Sequence, residues 1–488
     1  MTPSRSEATL ERGAIGLTEV LFQSITHMAP AVAVALSIGF ATTLAGGNTP
    51  LSVVLALVAC LFTAFSIGEL AKHLPSAGGL YTYVSRGLGS FAGWLMAWAF
   101  LLAEPLVAPI LFAAFGFYGA LLIQELTGFQ SDITWLPLAI ACAGVVWFLT
   151  YRGITISTRT GVILGAVEIA IFLVVSLLLI IKAGSGNTFS VFVPSSGLQP
   201  ALQGMVFSLL AFVGFEAAAP LGEEARDPKR TVRQAVIGSC VLIGLFYTFC
   251  YYAATVFTGP DNMKDFLGAD LDGWQRAGAA VLPGIGSLLV TFAILNSCLA
   301  NATAGATAAT RAIFALGRTG LIPRLFAAVH RDFRTPVNAV HLQGIVGIAI
   351  AVGLSVWLNA AYPPTPGALN TYFFLGYALG LLFAGMYIAV NLAVIGFYLG
   401  PMRPELSPLR HIVLPILGAF FMIPAFISTL GGIYIPIADF TPSALAAPYD
   451  LVPPIVGIWM VAGIAIGVWL WAGRRETITR VGEAVAEG

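Results

Sequence analysis

The chain has 488 residues, of which 58% are hydrophobic and 9% charged, and its 23 Lys and Arg balance 23 Asp and Glu. Soluble domains carry about 25% charged residues, so this composition excludes a water-soluble globule, and zero net charge leaves no basic footprint for nucleic acid. The five cysteines, Cys60, Cys142, Cys240, Cys250 and Cys298, all lie in apolar runs, an odd set with neither a disulfide framework nor metal-ligand spacing.

Residues 1–16 form a polar tail that lacks the short apolar core and small-residue cleavage site of a signal peptide. Twelve apolar runs follow, near 18–45, 50–71, 91–123, 133–151, 158–182, 201–221, 232–258, 284–316, 337–358, 371–399, 412–432 and 452–473. Each is long enough to cross a hydrocarbon core roughly 30 Å thick as a helix. The expected fold is therefore an all-α polytopic membrane protein of twelve spans, one domain over 17–473, with a second short polar tail at 474–488.

Span 1 is interrupted by THMAPAVA (26–33) and span 6, five spans later, by FVGFEAAAP (212–220). Singly, such Gly and Pro positions are ordinary kinks. Paired in matching places, they point to an inverted-repeat transporter whose site lies at the broken helices. The two repeats would be 17–182 and 201–399, with spans 11 and 12 (412–473) outside them.

Twelve spans put both termini on one side. With that side cytoplasmic, only Lys182, Lys264 and Arg276 of the 23 basic residues fall outside, as the positive-inside bias requires. The largest outer loop, 259–283, instead carries Asp261, Asp265, Asp270 and Asp272.

Three inner-side stretches carry recognisable patterns: Pro-x-x-Gly-Gly-x-Tyr within 68–89, Glu-Glu-x-x-x-Pro within 214–236, and Arg-x-Gly-x-x-Pro within 310–340. On their own terms, Pro75, Gly78 and Gly79 end a helix and turn the chain, while Tyr81 and Tyr83 suit the membrane interface and Lys72 and Arg86 the inner surface. Arg318, Arg324, Arg331 and Arg334 can pair with Glu223, Glu224 and Asp227 in an inward-closed state, or serve topology alone. Taken in order, the three patterns resemble the amino acid–polyamine–organocation superfamily of secondary transporters, over roughly residues 17–400.

The resemblance implies a substrate site at the midplane, between unwound stretches of spans 1 and 6. There a broken helix exposes N–H groups suited to a carboxylate and carbonyls suited to an ammonium group. It carries the site to Thr26, His27, Met28, Ala29, Pro30 and Ala31, and to Phe212, Val213, Gly214, Phe215 and Glu216, with Phe212 or Phe215 as a lid or as packing. Span 1 lacks the Gly-rich stretch of many members, and Pro30 removes a donor, which keeps amine substrates open beside amino acids.

Ionisable groups inside a span cost at least ~3 kcal/mol on insertion scales and mark function by default. Glu168 continues a helical face made by Gly161 and Gly165, so it should face protein rather than lipid. Glu104 lies on a stripe with Gly93, Ala97 and Ala108. Glu168, Glu216, Glu104 and His27 are the proton-coupling candidates, each with a hydrogen-bonded structural role as its alternative. Some proton-coupled relatives keep a Lys near position 168, and an acid cannot fill that cationic part. In span 8, Asn296, Ser297, Asn301 and Thr303 form a polar strip that can line the pocket, hold sodium through side-chain oxygens, or bond helix to helix.

The sequence thus leads us to expect a secondary transporter importing a neutral amino acid by alternating access, coupled to protons with sodium not excluded, in the inner or plasma membrane, as a monomer or homodimer without metal or cofactor. An amine or polyamine permease, or an exchanger, is the alternative within the fold, and a non-transporting solute sensor the alternative outside it. No paired-His metal motif, serine elbow or phosphate-cradling Gly-Lys motif supports an enzyme.

Overall fold

The computed structural model describes residues 13–473, apart from 77, 195–196, 269–270, 364 and 432–444, together with 478–479. Most of both expected tails and Asp270 lie outside the described residues. The helices in chain order are α1 (Leu17–His27), α2 (Pro30–Val32), α3 (Ile38–Ala45), α4 (Thr49–Ala71), α5 (Leu80–Leu88), α6 (Ser90–Thr127), α7 (Trp135–Arg152) and α8 (Ile154–Ala183). They continue as α9 (Gln199–Phe212), α10 (Pro228–Thr258), α11 (Gly273–Val281), α12 (Gly286–Thr319), α13 (Val337–Ala361), α14 (Gly367–Leu399), α15 (Leu414–Leu430) and α16 (Val452–Gly473). Among the described residues there is no strand, only an isolated bridge between Ile15 and Ala225.

Among the described residues, eleven helical segments are long and apolar enough to cross a membrane. The first, Leu17–Ala71, spans 55 residues and is interrupted at Met28–Ala29 and again at Gly46–Asn48, where Gly46 takes φ 54°. Helices α5 and α11 lie inside stretches that the sequence marked as loops.

The apolar-out, polar-in distribution of a membrane bundle explains the packing. Ile163 (64% exposed) on α8 and Ile458 (72%) on α16 face outward, whereas Glu104, Glu168 and Glu216 are buried. Hydrocarbon supplies no hydrophobic drive between helices, so close approach relies on small residues. Helix α12, rich in Ala between Ala300 and Ala315, is buried throughout that stretch and packs against α6 and α8. A Cβ on Gly305 would lie 2.5 Å from Val107 of α6, and one on Gly165 of α8 would lie 2.9 Å from Thr26. Helix α6 carries Pro105 and Pro109. Pro109 has no N–H for the carbonyl four residues back, and the Gln343 side chain donates to that Pro105 oxygen instead, at 3.0 Å.

All three sequence patterns converge on one end of the bundle. Gly79 (φ 50°) lies so close to Pro220 that a Cβ would sit 3.2 Å from its nitrogen, and Gly222 packs equally close to the Ser76 nitrogen. Arg311 of α12 donates from Nε and Nη2 to the two oxygens of Glu224, both at 3.3 Å, with each side chain 1% exposed. Arg318 donates to Glu223 at 2.7 and 3.1 Å. Arg324, Arg331 and Arg334 form no ion pair among the described residues. Ile15 is tied to the same loop through Ile15 N to Glu224 O and Arg226 N to Ile15 O. Beside it, Glu69 is contacted by Lys72, Arg233 and His411. Tyr81 and Tyr83, expected at the interface, are buried because α5 tucks beneath α6 and α14.

A buried pair is costly to split but replaceable as a unit. Arg311→Met alone should lower stability by about 3–5 kcal/mol, and adding Glu224→Met should restore most of that loss. Thermal unfolding in detergent reads both; an equal loss in the single and double variants would show that the pair is not what closes this end.

Candidate functional site

Helix α1 ends where Met28 and Ala29 turn, with Ala29 in the left-handed region at φ 48° and ψ 64°. Pro30 then starts a new helical piece, suited to a first position because its missing N–H has no intrahelical partner there. A π-helical turn follows at Ala33–Ser37. Helix α9 ends at Phe212, Gly214 takes φ 118°, and a 3₁₀ turn covers Phe215–Leu221. The two breaks touch: a Cβ on Gly214 would fall 2.7 Å from the His27 carbonyl carbon and 2.8 Å from its oxygen. Glycine is therefore required at 214 both for φ and for clearance.

Each broken end needs hydrogen-bond partners, and the chain supplies them from side chains. Ala31 N donates to Glu168 Oε2 at 3.0 Å, and Val32 N to Ser297 Oγ at 3.3 Å. The N-terminus of the second half of span 1, which favours an anion, thus already holds a carboxyl oxygen. At the other break Gly214 N donates to Glu216 Oε2 at 3.1 Å, and Tyr387 donates to the same oxygen at 2.6 Å. Ser24 bridges the two segments, donating to Phe215 O and accepting from Ala218 N. On the carbonyl side, the Tyr247 hydroxyl lies 2.7 Å from Met28 O and 3.0 Å from Ala211 O. One hydroxyl proton serves one of these at a time. Tyr251, one turn further along α10, donates to Val34 O at 2.5 Å.

A cavity of about 740 Å³, counting its open mouth, lies against both breaks. His27, Met28, Ala29 and Val213 line it, together with Asn301 of α12. Its far part is aromatic: Phe40 stacks edge-on against Phe373 at 4.6 Å and tilts against Phe207 at 5.9 Å. Thr26, Pro30, Ala31, Phe212, Gly214, Phe215 and Glu216 do not line it. Phe212 packs edge-on against Tyr247, and Phe215 lies tilted against Tyr387 at 5.0 Å, so both rings brace the breaks from behind. Glu104 stands behind the cavity wall, its Oε1 3.6 Å from His27 Nε2. Of the span 8 strip, Asn301 reaches the cavity, Asn296 bonds the Leu164 carbonyl at 2.6 Å, Ser297 holds Val32, and Thr303 bonds its own helix at Leu299.

Sequence reasoning missed Tyr247, Tyr251 and Tyr387, which hold the breaks, and Arg311, which closes the end below them. The i, i+4 spacing of Tyr247 and Tyr251 on one face of an apolar span was the available signal. Among the described residues no cluster of His, Cys, Asp and Glu fits a metal ion.

Gly214→Ala should be among the most damaging single-methyl changes, since the added carbon meets backbone rather than a flexible side chain. We expect a loss of folded protein in size-exclusion profiles and a melting temperature well below that of Gly238→Ala, whose Cβ meets only a Leu21 methyl at 3.4 Å. Tyr247→Phe should cost about 1–3 kcal/mol in the same melts by stranding buried carbonyls. Wild-type melting in both Gly214→Ala and Tyr247→Phe would contradict the assigned contacts.

The chain is 24% identical over 364 residues to the low-affinity putrescine importer PlaP of Escherichia coli, covering 71% of this chain and 76% of that protein. It is 26% identical over 331 residues to the methylthioribose transporter of Bacillus subtilis, covering 64% and 68%. A third relative, the branched-chain amino acid permease BcaP of Bacillus subtilis, is 26% identical over 337 residues, covering 62% and 66%. The family model described as amino acid permease matches residues 15–470. A multi-pass helical bundle with two breaks meeting beside a cavity is thus that of a transporter rather than an enzyme, and the chain belongs to the amino acid permease family.

Proposed function

We propose that this protein is a secondary transporter that imports a small solute bearing an amino group, by alternating access around the meeting point of the two breaks. The single observation that carries this reading is the asymmetry about that point. The cavity extends from the breaks toward Phe40, Phe207 and Tyr377, while the Arg311–Glu224 and Arg318–Glu223 pairs, the Ile15 tie and the docked Gly79–Pro220 turn seal the opposite end. A transporter closed at one end has such a shape.

Counting the turn at Gly46–Asn48 as a reversal gives twelve crossings and puts the interruptions in spans 1 and 6. The corresponding arrangement is five spans and five inverted spans, plus two more. The sealed end, which carries Arg311, Arg318 and Arg233, is then cytoplasmic by the positive-inside bias, with both termini on that side. Relatives that carry putrescine, branched-chain amino acids and methylthioribose in their names support amines and amino acids as the substrate range.

Coupling to protons is the reading we favour for Glu168. It bridges α8 to the restarted half of span 1, and its Oε1 has no hydrogen-bond partner among the described residues. Gain or loss of its proton changes the acceptor that Ala31 N–H meets, and so the hold of α8 on the moving segment. Purified protein in liposomes, with pH and sodium gradients imposed separately, tests the whole proposal. Concentrative uptake should follow the pH gradient, and Glu168→Gln should reduce accumulation at least about tenfold while leaving substrate binding within a few-fold of wild type. Binding without flux under every gradient would make the protein a sensor, and unchanged accumulation in Glu168→Gln would remove that residue from coupling.

A further inference from the structure

An amino acid and an amine differ at one group, the carboxylate, and the cavity bears on which of them fits. A carboxylate leaving water needs a cation or several N–H groups. No Lys or Arg lines the cavity. The backbone donors of the breaks are committed inside the protein: Ala31 N to Glu168, Val32 N to Ser297, Gly214 N to Glu216 and Ala218 N to Ser24. Pro30 has no N–H to give. His27, neither of whose ring nitrogens has a hydrogen-bond partner among the described residues, offers one N–H when neutral. When protonated it faces the Glu104 carboxyl at 3.6 Å, so it supplies neither the several donors nor the uncompensated cation that a carboxylate needs.

Acceptors, by contrast, are in surplus. Asn301, 7% exposed and on the cavity wall, has an Oδ1 without a hydrogen-bond partner, and Glu104 Oε2 behind His27 is also unpartnered. Met28 O and Ala211 O share the one proton of Tyr247, and both residues line the cavity. These groups cluster at one end. At the other, Phe40, Phe207 and Phe373 present ring faces and edges, and the Ser37 and Tyr372 hydroxyls are bonded to each other at 3.1 Å. That end offers no carboxylate to a second ammonium group.

We propose that the cavity takes a monoamine with an apolar body and no carboxylate, its ammonium group at Asn301 and the His27–Glu104 pair, its body among the phenylalanines. This deepens the transporter reading above and rests on it. It departs from the neutral amino acid expected from sequence, and also from a diamine, for which the aromatic end has no acid.

The test uses the full-length protein and matched probes: 2-phenylethylamine against phenylalanine, isopentylamine against leucine, and putrescine. Binding is read by calorimetry in detergent and uptake in liposomes. We expect each monoamine to bind and compete at least about tenfold better than its amino acid and than putrescine. Asn301→Leu should weaken monoamine binding about tenfold or more, whereas Asn301→Asp, which keeps the acceptor and adds negative charge, should retain it and reject amino acids further. A merely structural Asn301 would lose binding in both variants. Preference for an amino acid or for putrescine overturns the inference and leaves the transporter reading standing. Monoamine binding without flux does the reverse, and no binding of any monoamine overturns the inference outright.

Discussion

A helix that breaks inside hydrocarbon frees backbone N–H and C=O groups where no water can take them, and each left alone costs several kcal/mol. Here two helices break at the same place, so the demand falls on one small volume. The chain meets it with side chains drawn from four other helices: Glu168 from α8, Tyr247 and Tyr251 from α10, Ser297 from α12 and Tyr387 from α14. The architecture around the breaks follows from that requirement. Helix α8 must approach α1 closely, which explains Gly165, α12 must approach α6, which explains Gly305, and the breaks must touch, which explains Gly214.

The same requirement shapes the chemistry. A break offers a positive end and a negative end, and this protein treats them differently. The positive end is filled from within by a carboxyl oxygen and a hydroxyl, while carbonyl and side-chain oxygens beside the cavity keep acceptor capacity. In the proposed site, selectivity arises from which backbone groups the protein has already satisfied, and Pro30 is part of that choice because it deletes a donor at the start of the second helical piece. Below the breaks, buried Arg311–Glu224 joins α12 to the loop after Pro220, so that the element lining the cavity and the element sealing the end are one piece.

Much of this was legible in the sequence because it depends on local pattern. The apolar runs give the spans, since length and composition alone decide whether a helix can cross. The interruptions at 26–33 and 212–220 stand out because Gly and Pro act on their own backbone, and the spacing of Gly161, Gly165 and Glu168 turns the acid toward protein, where the structure has it buried. What was hidden depends on partners far away in the chain. Tyr387 meets Glu216 across 171 residues and Tyr247 meets Met28 across 219, and an apolar helix gives no sign of which tyrosine points inward. Arg311 read as one more inner-side charge although it is buried. Helix α5 reads as a loop in the sequence because Pro75, Gly78 and Gly79 dominate its approach, and its burial puts Tyr81 and Tyr83 in the interior rather than at the interface. The sequence places the candidate site at the two interruptions, and a cavity lies against them, but it does not separate the lining side chain Asn301 from Asn296 and Ser297, which the rotation of α12 decides.

The central claim is that the donors of the broken helices belong to the protein and the spare acceptors to the substrate. A high-resolution structure with 2-phenylethylamine bound, solved in a lipid nanodisc, tests it most directly. The account predicts ligand nitrogen within hydrogen-bond distance of Asn301 Oδ1 and the carbonyls at Met28 or Ala211, with Glu168 still on Ala31 N. A parallel structure with phenylalanine in which the ligand carboxylate sits on Ala31 N and Val32 N, and Glu168 has swung away, would contradict it.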